Sequence, residues 1–336
     1  MILAGDIGGT STRLGLFDLV DGKLELVGQQ VRPSRGYTGL EDIVTEFTTQ
    51  HSVRILHACF GVAGPVLDGV ARTPNLPWVV EARGLAGLLN LDRVTVLNDL
   101  EANAHGITSL TPDEFVTLNT GAPGAVGNAA IISAGTGLGE AGLFWNGHEH
   151  HPFACEGGHA DFAPGNDLEL ELLKYLRPLF GHVSWERVLS GPGLHNIYKF
   201  LRDTQRGTGS QQVAAEMCQA DPASVISKAA LEGRCAQCSI ALDLFVSIYG
   251  AAAGNLALKM MAVGGVYVGG GIAPKIISQL TGRAFMRAFT AKGRMTALME
   301  NIPVRVLMND QAALWGAARY AARTSDQPAT GCQSHH

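Results

Sequence analysis

The feature that most constrains this chain is a strand, glycine-turn, strand unit that occurs twice. Ile2–Asp6 is apolar and strand-like, meets Gly8-Gly9, and is followed by an apolar run from Leu14 to Val20. Ala129–Ala134 repeats the pattern, meeting Gly135-Thr136-Gly137-Leu138-Gly139 before the apolar run Ala141–Trp145. Gly15-Leu16-Phe17 in the first unit matches Gly142-Leu143-Phe144 in the second. Asp21-Gly22 and Asn146-Gly147 then close the two units, each with the signature of a two-residue type I′ hairpin. The repetition predicts a duplicated plan whose two glycine turns face one cleft; a chance likeness between two hairpins is the competing reading.

Between and beyond the units the apolar spacing turns helical. Thr38-x-x-Glu41 reads as a capping box ahead of Leu40, Ile43, Val44 and Phe47. A strand over 55–62, a helix over 82–89, a strand over 94–97 and a helix over 100–107 follow. That mixture predicts an α/β fold, a sheet covered by helices. The second half predicts helices over 168–176 (stopped by Pro178), 185–189, 193–201, 223–231, 235–261 and 312–322, with a strand over 266–268. Arg206–Gln212 reads as a mobile loop and the tail 324–336 as frayed.

At 46% hydrophobic over 336 residues, the chain has apolar material for more than one core. Its net charge of −5 excludes the basic footprint of a nucleic-acid binder. The apolar stretch from Leu244 to Ala273 is broken by Asn255 and Lys259, so it predicts buried core and no membrane partner. Met1 leads into a strand with no signal-peptide pattern, and six cysteines are sparse, so a reducing, cytoplasmic location is expected.

Glycine turns let backbone N–H groups approach an anionic phosphate closely. Neither a P-loop nor a dinucleotide fingerprint is present: Gly135–Gly139 has the wrong spacing, and Pro274 interrupts the pattern begun at Gly269-x-Gly271. In Asp6-Ile7-Gly8-Gly9-Thr10-Ser11-Thr12-Arg13, a carboxylate, hydroxyls and a guanidinium suit Mg²⁺ and phosphate oxygens; an ordinary polar hairpin tip is the alternative. Asn98-Asp99, between a strand and a helix, offers either a base beside an orienting amide or a plain helix cap. Glu156-Gly157-Gly158-His159 pairs an acceptor with an imidazole suited to the hydroxyls of a polyol, with Glu186 as a further acceptor; solvated surface is the alternative. His148-Glu149-His150-His151 is not HExxH, and the Cys235/Cys238 pair lacks a second pair, so no structural zinc is expected.

These segments, in order, are Asp6–Arg13, Leu97-Asn98-Asp99-Leu100-Glu101-Ala102, Gly135–Gly139, Glu156–His159 and Glu186-Arg187-Val188-Leu189-Ser190-Gly191-Pro192-Gly193. Together they resemble the bacterial glucokinases over nearly the whole chain. The resemblance implies an α/β fold of two actin-like (ribonuclease H-like) domains with a cleft between them. Their expected limits are 1–109 plus about 308–323 for the smaller and 110–307 for the larger, with 324–336 a flexible tail. It implies ATP-dependent phosphorylation of D-glucose at the 6-hydroxyl, another hexose or an N-acetylhexosamine being the alternative substrate. Asp99 would be the catalytic base, and Asn98, Asp99, Glu156, His159 and Glu186 would bind sugar. ATP would lie on Gly5, Asp6, Ile7, Gly8, Gly9, Thr10 and Thr12, on Gly135 and Thr136, and near Gly269, Gly270 and Gly271. Asp6 would hold Mg²⁺ carried by ATP, through water. The segment after His159 lacks the cysteines of the related ROK kinases, which implies the zinc-free branch. A homodimer is an assembly the resemblance allows.

Overall fold

The computed structural model describes residues 1–73 and 76–324. The expected tail beyond 324 lies outside the described residues. In chain order the elements begin with β1 (Ile2–Ile7), β2 (Ser11–Val20), β3 (Lys23–Pro33), α1 (Leu40–His51), β4 (His57–Val62), β5 (Val66–Leu67) and β6 (Val70–Arg72). Next come β7 (Val79–Glu81), α2 (Ala82–Leu89), β8 (Thr95–Asn98), α3 (Asp99–Ile107), β9 (Phe115–Asn119), β10 (Ala129–Ala134), β11 (Leu138–Trp145) and β12 (His150–Cys155). Five helices follow: α4 (Asp167–Phe180), α5 (Gly191–Asp203), α6 (Gln211–Met217), α7 (Pro222–Leu231) and α8 (Ala236–Met260). The last are β13 (Gly265–Gly269), α9 (Ile277–Leu280), α10 (Arg283–Thr290), α11 (Thr296–Glu300), β14 (Val304–Leu307) and α12 (Ala312–Thr324).

The chain divides into two units, one of residues 1–111 with the segment that starts at Gln311, the other Pro112–Asp310. In the first, the sheet order is β3-β2-β1-β4-β8, with β1, β4 and β8 parallel. Successive side chains on a strand point to opposite faces, and both faces here are covered. Leu3, Ile7, Leu14, Phe60 and Val96 pack with Leu40, Ile43, Val44 and Phe47 of α1 and Leu85 of α2. Ile2, Ala4, Phe17, Cys59 and Leu97 pack with Ala102 of α3 and Leu314, Ala317 and Ala321 of α12. Helices α3 and α12 cross with their backbones in contact. A Cβ on Gly106 would occupy the place of the Ala312 carbonyl oxygen, and one on Gly316 the place of the Ala102 carbonyl oxygen.

The second unit repeats the plan. Its sheet order is β12-β11-β10-β13-β14-β9, with β10, β13 and β14 parallel and β11 and β12 antiparallel beyond them. The two hairpins differ by one residue at the turn: Ile7 pairs with Thr12 across four residues, Ala134 with Leu138 across three. Helix α8 is long and apolar enough to cross a membrane by length and composition, yet most of it is buried among α5, α7, α10 and the sheet.

Local signals explain most element boundaries and several departures. Asp21 and Gly22 both have positive φ, as a type I′ turn requires. Asn146-Gly147 does not make that turn. The loop spans 146–149, with the Asn146 side-chain oxygen accepting from the amides of His148 and Glu149. Thr38 is not a helix cap: Gly39 holds that position, and the Thr38 hydroxyl donates to Asp42 Oδ2 at 2.6 Å. Pro178 does not stop α4, which runs on to Phe180, because a proline so near the end removes only one intrahelical bond. Helical spacing over 185–189 yields a single 3₁₀ turn, Trp185–Arg187. The loop after Arg206 is tied down by Gln237 Nε2 donating to Arg206 O, and α6 already starts at Gln211.

The backbone contact between α3 and α12 yields a stability prediction. Gly316→Val should lower the urea midpoint, at a cost of about 1–3 kcal/mol from forced separation of the helices. A midpoint equal to the wild type would contradict the close crossing.

Candidate active site

In the first unit, parallel pairing brings two predicted segments to one sheet edge. Ile7 is level with Val62, and Val62 with Asn98, so the glycine turn and Asn98-Asp99 leave the carboxyl ends of strands two apart. That is about 9–10 Å across the sheet. The turn is closed by the Gly8 amide donating to Ser11 O at 2.9 Å. Thr10 and Ser11 are exposed, and Asp6 is part-exposed opposite Arg13. Thr12 stands differently from its neighbours: its hydroxyl is fully buried 3.0 Å from Ser34 Oγ, which donates to Gly8 O at 2.8 Å. Thr12 therefore braces the turn from behind. Gly5 lies within the sheet, where a Cβ would meet Ile7 Cδ1 at 2.7 Å.

Asn98 caps α3. Its Oδ1 accepts from the amides of Leu100 at 2.9 Å and Glu101 at 3.3 Å, and its Nδ2 donates to Gly64 O at 3.1 Å. Capping and ligand binding, which compete as readings of the sequence, thus share one side chain, and one N–H of the amide remains for a ligand. Asp99 is the first residue of α3, and its Oδ1 accepts from the Leu100 amide at 3.0 Å. Two residues further along α3, burial pushes the Glu101 carboxyl above its usual range.

In the second unit the structure gathers Gly135–Thr136, Glu156, His159 and Glu186. Trp185 N–H donates to Ala160 O at 3.0 Å and Phe162 N–H to Val183 O at 2.9 Å, so the 3₁₀ turns Gly157–His159 and Trp185–Arg187 lie on adjacent segments. Glu156 Oε2 and His159 Nε2 are 3.9 Å apart, both side chains half exposed or more. Glu186 Oε2 accepts from the Leu138 amide at 3.0 Å, and the Gly191 amide donates to Gly135 O at 2.8 Å. The Glu186–Gly193 segment therefore grips the glycine turn, with Ser190 capping α5 through the Gly193 amide. A Cβ on Gly135 would meet nothing within 4 Å, which leaves that face open to a ligand.

Two important side chains carry no motif. Tyr249, fully buried in α8, accepts from the Ala134 amide at 3.1 Å and has its hydroxyl 3.0 Å from Gly269 O. It clamps the ends of β10 and β13, from which the Gly135 turn and Gly269–Gly271 emerge. Gly270 there adopts φ +84°. Glu140 is the other, an acid in the apolar run 138–145, only 6% exposed. Burial, only partly opposed by Lys259, pushes its carboxyl up to about 7. Between the ordinary value of 4.5 and about 7, the folded chain holds a proton that the unfolded chain has lost, so this group makes stability fall as pH rises. An acidic residue inside an otherwise apolar strand was the signal available in the sequence.

Among the described residues, no group of three or more His, Cys, Asp or Glu is placed to hold a metal ion. Cys235 and Cys238 are buried thiols at the start of α8, the first capping the helix through the Cys238 amide at 3.4 Å.

Comparisons with known proteins identify the family and the fold. A family model described as Glucokinase matches residues 3–324. A glucokinase of Nostoc sp. is 40% identical over 339 residues, covering 96% of this chain and 99% of the relative. The crystal structure of a glucokinase from an Antarctic psychrotroph superposes with a TM-score of 0.81 at 31% identity, covering 96% of this chain and 98% of that one. A ROK-family glucokinase of Streptomyces griseus, solved in complex with glucose and AMPPNP, shares the fold at a TM-score of 0.65 and 21% identity, over 96% of this chain and 99% of that one. The α/β fold expected from the sequence is thus that of the two-domain actin-like sugar kinases. From its motifs, its sheet topology and a family match that spans both units, the chain belongs to the glucokinase family.

Proposed function

We infer that this enzyme transfers the γ-phosphoryl group of ATP to the 6-hydroxyl of D-glucose, giving glucose 6-phosphate and ADP. One observation carries the reading: Asp99 opens α3 at the carboxyl end of β8, on the sheet edge that also bears the Asp6–Thr10 turn. A carboxylate there suits a base, and a glycine turn beside it suits phosphate. The relative from Streptomyces griseus, bound to glucose and AMPPNP, supports the same pair of substrates.

In this reading Asp99 takes the proton of the 6-hydroxyl as that oxygen bonds to the γ-phosphorus and the bond to the ADP oxygen breaks. Little covalent chemistry is left to the protein, whose work is positioning and charge stabilisation. The Leu100 amide holds the Asp99 carboxylate, and the remaining N–H of Asn98 orients the sugar. Glu156, His159 and Glu186 bind other hydroxyls, with one oxygen of Glu186 already engaged by Leu138. The amides of Gly8 and Gly135 are engaged within their own turns, so those of Gly9, Thr10 and Thr136 receive phosphate oxygens, and Gly269–Gly271 lies toward the adenosine. Asp6, through water, would hold the Mg²⁺ carried by ATP, which when bound would supply neutralisation of phosphate charge. Dependence on ATP makes the cytoplasm the compartment we propose.

Asp99→Asn should lower kcat by about 10²–10⁴-fold, the scale of general-base catalysis, and leave glucose affinity nearly unchanged. Near-normal turnover would remove the base assignment. Glu156→Gln and His159→Ala should each weaken glucose binding by about tenfold, the scale of one lost hydrogen bond. Isothermal calorimetry reads this directly, and unchanged affinity in both variants would detach the 156–159 turn from the sugar.

A further inference from the structure

Glu140 stands immediately beneath the Gly157–His159 turn. It pairs with Ile132 on one side and Cys155 on the other, and Cys155 leads directly into Glu156. A Cβ on Gly157 would fall on the Glu140 carboxylate, so that carboxylate fills the space a side chain at 157 would take. The Gly158 Cα packs just as closely on the Leu138 carbonyl. The turn thus rests on β11 through two glycines, with the Glu140 carboxyl as part of the seat.

No hydrogen bond among the described residues reaches that carboxyl. The charged or titratable groups facing it are few. From α8 come Lys259, which is exposed and favours the ionised form, and Tyr249; from β12 comes Cys155, and the turn itself carries Glu156 and His159. Ile132 on β10 is apolar and fully buried. A neutral carboxyl fits such a seat. An ionised one needs water or a counter-charge, and burial of an unpaired carboxylate is costly. The backbone of β11 is fixed by pairing on both sides, so the turn above is the part that can give way to admit more water.

We propose that Glu140 is a positioning residue for the sugar turn: protonated, it seats Gly157–His159 for glucose, and ionised, it unseats them. The inference rests on assignment of the 156–159 turn to the sugar. The proton in question is the one burial retains up to about pH 7, so the device operates across neutrality. If only the protonated form binds well, glucose KM rises by up to about tenfold between about pH 6 and about pH 8 while kcat is little changed. By linkage, glucose binding above neutrality must take up a proton.

Two measurements test this. Calorimetry of glucose binding in two buffers of different ionisation enthalpy, at about pH 7.5, should give net proton uptake by the wild type. Glu140→Gln keeps the shape and cannot ionise. It should show no uptake from this source, match the wild-type KM near pH 6 and stay below it near pH 8, at an unchanged kcat. Since both proteins keep His159, the difference between their curves isolates residue 140. Absence of proton uptake by the wild type, which needs no variant to fold, would overturn the proposal, as would superimposable pH profiles. Loss of glucose binding in Glu156→Gln alongside either result would leave the sugar site standing and reject Glu140 alone. Intact binding in Glu156→Gln and His159→Ala would reject the site itself.

Discussion

Parallel strand pairing is the constraint on which the chemistry depends. Because β1, β4 and β8 run the same way, the segments that follow them emerge from one edge, and a carboxylate at residue 99 becomes a neighbour of a turn some ninety positions earlier. The same pairing of β10 with β13 brings the Gly135 turn beside Gly269–Gly271. Ligands of open α/β sheets bind at the carboxyl ends of the strands for this reason. The helix that carries the proposed base, Asp99, is then held by a contact with no adjustable part, since α3 meets α12 glycine against carbonyl in both directions.

In the second unit the carboxylates divide their work according to burial. Glu156 is exposed and available to a ligand, Glu186 is shared between a turn amide and its open oxygen, and Glu140 is almost wholly enclosed. Position in the sheet sets this order. Residue 140 lies between two paired strands, whereas 156 and 186 sit in short turns outside them. A carboxyl that must stay dry is most comfortable neutral, and one that must bind hydroxyls needs its lone pairs exposed. Tyr249 plays the corresponding neutral role at the glycine turns after β10 and β13, with its hydroxyl engaged by the backbone of both strands.

Much of this was legible in the sequence, for identifiable reasons. Strand β10 and helix α2 follow directly from short apolar runs bounded by polar or glycine residues, and Asp21-Gly22 dictated its turn because both residues need positive φ. The duplicated hairpin appeared as a repeated Gly-Leu-Phe, and the repeat in topology agrees with it. Local patterns failed where a neighbour outside the pattern decided the outcome. Thr38 bonds Asp42 instead of capping, Asn146 closes its loop with its own side chain, and Trp185 bonds Ala160 in a single turn instead of extending a helix. Within the site, exposed motif residues were visible as motifs. Tyr249 and Glu140 were not, and neither was the bracing role of Thr12, because these roles come from what lies across the sheet and not from spacing along the chain.

The reaction proposed for this enzyme is a phosphoryl transfer to one hydroxyl of one sugar. Incubating the enzyme with ATP and uniformly ¹³C-labelled glucose and reading the product by ¹³C and ³¹P NMR tests it most directly. Phosphorus coupling at the C6 carbon, with one ADP formed per sugar phosphate, is the result this account requires. Coupling at any other carbon, or ATP consumed with no sugar phosphate formed, would contradict it.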